Sequence, residues 1–498
     1  MELLFICGLV FLLYVRTLDY NYVIDDNVKR QGYMYEVPLM APAPSFFDTK
    51  PSRWYRLFMI GMHCANVSII YLLWGWIPAL LFAVHPLGVW GTAWVTGNYY
   101  ATTAYFILVS YFIMHQFPNL WGALAAMPFY VAALNSTING LTFPFLFLFG
   151  WLTGVTPWGL LMGIPLVQFL RGKRFTVGIA IREKFVTGKR VPRKKFAWNR
   201  IFVMTKVTAK YIYTSFFPDR LGFFGGYGHE LHDNPEVYKK LHSADKEFWA
   251  ALAVCVAVFA GGMLVSPFGT LWFFCFIGLH SQFNLMGQFY AERYLYLPLV
   301  GICIIVGTIL VGHPILTAIV ATILVVRTHF FIPAWRNMGC IWQNDIDAYP
   351  YFGEVYSNRA QYYLNRPPIS AWRLNEIASD LFKALEMEPR SWKVLMNLAC
   401  FFAVTQNWAM VLEFTNKAIA ILEEIGGEVT PLKQMYKQRE DVENLLKNGG
   451  AITSLPQQEE GVNHGTRTTK TGSEERILEP FRDSGSSRGT PGIASQLS

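Results

Sequence analysis

Two adjacent carboxylates, Asp25 and Asp26, stand in "DYNYVIDDNVKR" (residues 19–30), just past an apolar run from Met1 to Val15. Such a pair can serve as a general base: one acid takes a proton from an attacking hydroxyl while its neighbour orients it or an ion. Each also disturbs the other's ionisation. The plainer reading is a solvated helix end that marks where a membrane stops; neither acid lies deep in hydrocarbon, where it would cost about 2.5–3.5 kcal/mol. Far along the chain, "GQFYAERYLYLPLVG" (287–301) sets Glu292 and Arg293 at the head of an apolar segment, among Tyr290, Tyr294 and Tyr296. A guanidinium beside aromatic rings and a helix N-terminus suits a phosphate at the interface. Alternatively, Glu292 and Arg293 are interface anchors that neutralise one another.

Two further stretches carry polar groups in unusual company. In "FAVHPLGVWGTAWVTGNYY" (82–100), His85 precedes Pro86 inside an apolar span. It reads either as a functional intramembrane group or as a hydrogen-bonded histidine in a Pro-kinked helix. The segment "PDRLGFFGGYGHELHDNPEVY" (218–238) gathers His229, Glu230, His232 and Asp233. Its H-E-x-H-D order is not the zincin spacing, so no metal site is assigned and a divalent ion stays an open question. A substrate-positioning loop and an ordinary ordered loop both fit. No P-loop, dinucleotide fingerprint or nucleophile elbow occurs.

The elements that must hold these residues are those of a membrane protein. Of 498 residues 53% are hydrophobic and only 15% charged, against about a quarter charged in an ordinary soluble domain. The net charge of +8 is concentrated in 171–200, which holds eleven Lys or Arg and one acid. A basic run beside membrane helices points to anionic headgroups before nucleic acid, and no nucleic-acid partner is expected. Seven scattered cysteines without C-x-x-C imply neither zinc nor a disulfide framework. The N-terminal run lacks a basic start and a small-residue cleavage site, so it reads as a retained first helix.

Apolar segments follow at about 55–74, 77–95, 100–116, 119–134, 141–170, 201–217, 249–266, 268–284, 294–312 and 314–333. With the first helix they make about eleven spans, an all-α polytopic bundle over residues 1–333. Counting 141–170 as one span puts the basic loop on the same side as the N-terminus; counting it as two moves that loop but nothing after residue 218. Either way the Asp25–Asp26 loop, the 218–248 loop, the 285–293 turn and everything after 334 share the non-cytoplasmic face.

From 334 the composition turns soluble and helical. The stretch "SWKVLMNLACFFAVTQNWAMVLEFTNKAIAI" (391–421) has the small and aromatic spacing of a tetratricopeptide helix pair, with Leu398, Ala399, Phe402, Trp408 and Ala418 at packing positions. Ala384 lies one repeat period before Ala418. Two such units bury little alone, so 334–446 should lean on the membrane part or on a partner. The polar tail 447–498 reads as disordered.

Five landmarks in order resemble the family of membrane O-glycosyltransferases that carry tetratricopeptide repeats: "VIDDN", "LLFAVHPLGVWGTAWVTG", "FFPDRLGFFGGYG", "AERYLYLP" and "AWRNMGCIWQNDIDAYP". The resemblance covers about residues 1–425 and implies a GT-C body, multi-pass in a bacterial inner membrane or the endoplasmic reticulum. It further implies an inverting transfer of a hexose, mannose among the candidates, from a polyprenyl-phosphate donor to a protein Ser or Thr, with no other cofactor required. On that resemblance Asp25 or Asp26 is the base, and Arg293 holds the lipid phosphate with help from Glu292 and His85. Tyr294 and Tyr296 shape the lipid entry, and the repeats recruit a protein acceptor. The family pattern after His-Pro has a further His, a Glu and an Arg where this chain has Gly88, Trp90 and Asn98. The second carboxylate then falls to Glu230, Glu292 or Asp233, or the chain is an inactive relative that serves as a membrane-anchored repeat scaffold.

Overall fold

The computed structural model describes residues 1–24, 26, 52–136, 138–148, 157–171, 199–223, 240–283, 290–424 and 429–447. Every regular element among them is helical, and Met1–Lys447 form one compact unit. The expected disorder of the tail concerns residues outside the described set.

Three helices are long and apolar enough to cross a bilayer: Arg53–Trp74, Lys246–Val265 and Pro314–Trp335. Twenty residues at about 1.5 Å each span about 30 Å, the thickness of the hydrocarbon layer. Their outward faces are apolar. Val254, Val256, Phe259 and Leu264 on one, and Ile315, Ile319, Ile323 and Phe330 on another, are exposed. A helix long enough to span that turns such side chains outward is built to meet lipid.

In chain order the longer helices are α1 Glu2–Tyr14, α2 Ser52–Trp74, α3 Trp76–Val84, α4 Asn98–Gln116, α5 Leu120–Ser136, α6 Gly163–Arg171, α7 Arg200–Phe216, α8 Lys246–Val265, α9 Pro267–Gly278, α10 Leu299–Leu310 and α11 Pro314–Phe331. Most begin and end within a few residues of the apolar segments read from the sequence. Their starts have local causes. Asp245 caps α8 by accepting from Phe248 N at 3.0 Å, and Ser266 accepts from Gly269 N to start α9. Asp245 also pairs at 2.8 Å with Lys206, whose side chain is buried on α7.

The expected span 77–95 is not one kinked helix. Pro86 disfavours helical geometry at the residue before it, and His85 is extended (φ −70°, ψ 133°). The chain then folds through Pro86–Gly88, a one-turn helix Val89–Thr92 and a second turn Val95–Gly97 before α4 begins. Residues 81–98 are buried throughout, so this non-helical backbone is enclosed by protein. Gly97 is required here: a Cβ would lie 2.1 Å from the Trp90 carbonyl oxygen. The 294–312 segment is shortened in the same way, as Pro298 holds 292–298 in turns and the regular helix starts at Leu299.

After α11, six more helices follow: α12 Met338–Ala348, α13 Gly353–Leu364, α14 Ala371–Met387, α15 Trp392–Val404, α16 Trp408–Glu424 and α17 Val429–Lys447. α13 packs on α14 and α15 on α16 as helix hairpins. Ala384, Leu398, Ala399 and Ala418 are fully buried, and Phe402 stacks on Phe414 with centroids 5.6 Å apart. The Arg359 fork grips Asp380 across α13–α14 at 2.8 and 2.6 Å. α12 and the turn before it bond directly to the loops of the first part. Asn21 N donates to Arg336 O at 3.1 Å, Phe223 N to Asp345 Oδ1 at 2.6 Å and Asn344 Nδ2 to Leu221 O at 2.7 Å.

Candidate functional site

The buried turns at 85–97, the loop after α1, the 217–223 segment and the turn at 290–295 meet beneath α12. Asp26 is 2% exposed and its carboxylate is fully engaged. Oδ1 accepts from Thr96 N at 2.7 Å and Thr96 Oγ1 at 2.8 Å, and Oδ2 accepts from Val23 N at 2.9 Å. Buried Arg56 holds the same place from α2, donating to the Asn21 carbonyl at 2.6 Å and to the Ala93 carbonyl. Burial raises the Asp26 pKa; the Val23 and Thr96 bonds and the Arg56 charge pull against that shift. Asp26 is therefore an anchor that ties the first loop to the Trp94–Gly97 turn. Ile24 within this loop has φ 54°, costly for a β-branched residue. The surrounding bonds hold it there, including Ile24 N to Met338 Sδ at 2.9 Å.

Arg293 lies beside the Trp94 ring of the same turn. Its guanidinium is mostly buried and lies 5.9 Å from the centre of the Trp94 ring, 5.5 Å from Phe223 and 5.1 Å from Tyr294. Tyr294 is backed by His280, stacked at 4.2 Å and 11°; His280 itself lies in the π-helical turn Leu279–Phe283 that ends α9. Aromatic faces thus frame the cation. Asp26 bonds Thr96 and Arg293 lies against Trp94, so both contact the one short stretch Trp94–Thr96.

Glu292 has a different task from its neighbour. It is 0% exposed, and Oε2 accepts from Gly222 N at 3.1 Å. The Tyr349 hydroxyl stands 2.9 Å from Glu292 Oε1 and 2.9 Å from the Arg220 carbonyl. One hydroxyl proton cannot serve both acceptors fully, so the arrangement is complete only when the Glu292 carboxyl carries a proton. Burial acts in the same sense and raises its pKa well above the carboxylate range, while Tyr349, the Lys210 charge and Gly222 lower it. Lys210 lies 4.3 Å from the Tyr290 ring and 5.1 Å from that of Tyr349. Gly222 is needed for the closeness of the 217–223 segment, since a Cβ would sit 2.5 Å from Asp345 Oδ1.

Of the other expected site residues, His85 is internal: its Nδ1 accepts from Leu87 N and its Nε2 meets the Ser215 carbonyl, both at 3.2 Å. Tyr296 also turns inward, to His63 Nδ1 at 2.6 Å and Asn66 Nδ2 at 3.2 Å, and is buried there. Asp25 and the His229, Glu230, His232 and Asp233 group lie outside the described residues. Among the described residues, no group of three His, Cys, Asp or Glu side chains is placed to hold a metal. Sequence reading passed over Arg56, Thr96, Lys210 and Tyr349. A lone lysine in the apolar run "VTAKYIY" was a usable sign; Thr96 and Tyr349 gave none, since their roles arise only from tertiary contact. No family model, no curated protein and no solved structure matches this chain.

Proposed function

We propose that this chain is an integral membrane glycosyltransferase of GT-C type, moving a hexose from a polyprenyl-phosphate donor to a Ser or Thr hydroxyl of a protein. The observation that carries this reading is the meeting of Asp26 and Arg293 around Trp94–Thr96. Arg293 neutralises the phosphate as the bond to the anomeric carbon breaks. Because both oxygens of Asp26 already accept hydrogen bonds, the role of base is assigned to its sequence neighbour Asp25. The acceptor hydroxyl attacks from the face opposite the phosphate, its proton passes to Asp25, and the lipid phosphate leaves with the bonding pair. The helix hairpins after 338, read as tetratricopeptide-like, hold the acceptor on the non-cytoplasmic side of a multi-pass body. The competing reading, a membrane-anchored scaffold without activity, draws on the same commitment of Asp26.

Transfer of hexose from a short-chain polyprenyl phosphate to a Ser/Thr peptide by the purified full chain tests the proposal. Asp25→Asn abolishes transfer with donor binding kept, and Arg293→Ala raises the KM for the donor by tenfold or more, about 1.4 kcal/mol. An Asp25→Asn chain that transfers at the normal rate removes the base, and an intact chain without transfer leaves the scaffold.

A further inference from the structure

Three tryptophans pack together beside Arg293. The ring centroids of Trp90 and Trp335 are 4.7 Å apart, those of Trp94 and Trp335 6.0 Å, and those of Trp90 and Trp94 6.1 Å. Phe223 touches Trp90 at 6.2 Å and Trp94 at 5.7 Å, and the Arg293 guanidinium lies over both Trp94 and Phe223. All three indoles are at least 98% buried, and among the described residues none of their N–H groups has a hydrogen-bond partner. Trp272 is just as buried in the membrane part, yet its N–H donates to the Leu297 carbonyl at 3.0 Å. Burial alone therefore does not leave an indole unpaired in this fold.

Buried donors without acceptors are costly and rare, and three in one cluster of touching rings point to a ligand that brings acceptors. Asn98 adds the opposite polarity. It follows Gly97, which fits between the Trp90 carbonyl and the Trp94 ring, and its buried Oδ1 lacks a donor. A phosphate offers acceptors only. A pyranose offers hydroxyls that both donate and accept, together with an apolar C–H face that packs on indole.

We infer that Trp90, Trp94, Trp335 and Asn98 form the subsite for the sugar ring of a lipid-phosphate donor whose phosphate lies at Arg293. The inference rests on the proposed function and assigns the part of the site that selects the sugar.

The test measures binding to the full chain in detergent, with citronellyl phosphate bearing mannose or glucose and with bare citronellyl phosphate. The intact chain binds at least one glycosylated probe about tenfold more tightly than the bare one. Trp335→Phe reduces that preference about fivefold and leaves bare-phosphate affinity unchanged. Trp335→3-benzothienylalanine, which keeps the ring shape and removes only the N–H, does the same and decides the matter if a phenylalanine variant loses both probes through misfolding. Full preference in the benzothienylalanine chain overturns the subsite while the lipid-donor reading stands. Equal binding of glycosylated and bare probes by the intact chain does likewise. An intact chain that binds none of the probes overturns both.

Discussion

Asp26 and Glu292 are buried carboxylates that each fasten a loop, and they differ in the donors that the surrounding chain supplies. Asp26 collects three donors from Val23 and Thr96 with Arg56 close by, which suits an ionised carboxylate. Glu292 has one backbone donor and a hydroxyl that already faces the Arg220 carbonyl, which suits a neutral acid. In both acids burial raises the pKa and the donors supplied by the surrounding loops oppose that shift.

Substitutions break this contrast in a graded way. Asp26→Ala has the largest effect, because it strands two backbone N–H groups and a hydroxyl and leaves Arg56 without its acid. Thermal unfolding of the full chain in detergent should show a loss of about 3 kcal/mol or more. Glu292→Ala comes next at about 2 kcal/mol, through the unpaired Gly222 N–H, whereas Glu292→Gln costs less than about 1 kcal/mol because an amide copies a protonated acid.

The pH dependence follows the sign of the shift. A carboxyl whose folded pKa is raised binds more protons in the folded state than in the unfolded one, so its contribution is fully present below the unfolded value, about 4.3 for Glu. It is lost as pH climbs from there through the raised folded value. Stability of the intact chain should fall over that window, and Glu292→Gln should flatten the fall. A slope unchanged in Glu292→Gln would mean that Glu292 is ionised throughout. The smallest effect is Arg390→Ala, which removes an exposed ion pair with Glu424 at 2.7 Å and should change the unfolding midpoint by no more than about 0.5 kcal/mol.

Apolar runs located most helices to within a few residues because a long uninterrupted apolar stretch is plain in the sequence. It failed where proline and glycine act inside an apolar run: "AVHPLGVWGTAWVTG" is as hydrophobic as a span, and only Pro86, Gly91 and Gly97 hint that it folds into turns. The acidic and arginine poles of the site were legible as residue types, and the turn at Trp94–Thr96 that joins them was not. Asp26 was read as a reactive group although its partners make it an anchor, and Glu292 as a phosphate contact although it grips Gly222 and faces Tyr349. Trp90 stood out only as a departure from the resembled pattern, and Trp94 and Trp335 not at all, because the same residue also marks membrane interfaces.

α12 has the composition of a soluble helix, yet it supplies the partners of backbone groups in two loops far apart in sequence. Met338, at its start, receives Ile24 N, and Asp345, near its end, receives Phe223 N. A cut at residue 334, where hydropathy changes, would orphan both amides at once. The chain is thus not severable at its compositional seam: a truncation that preserves the bundle has to retain α12 through Tyr349, and force applied to the hairpins beyond it would be felt first by the loops bearing Asp26 and Phe223.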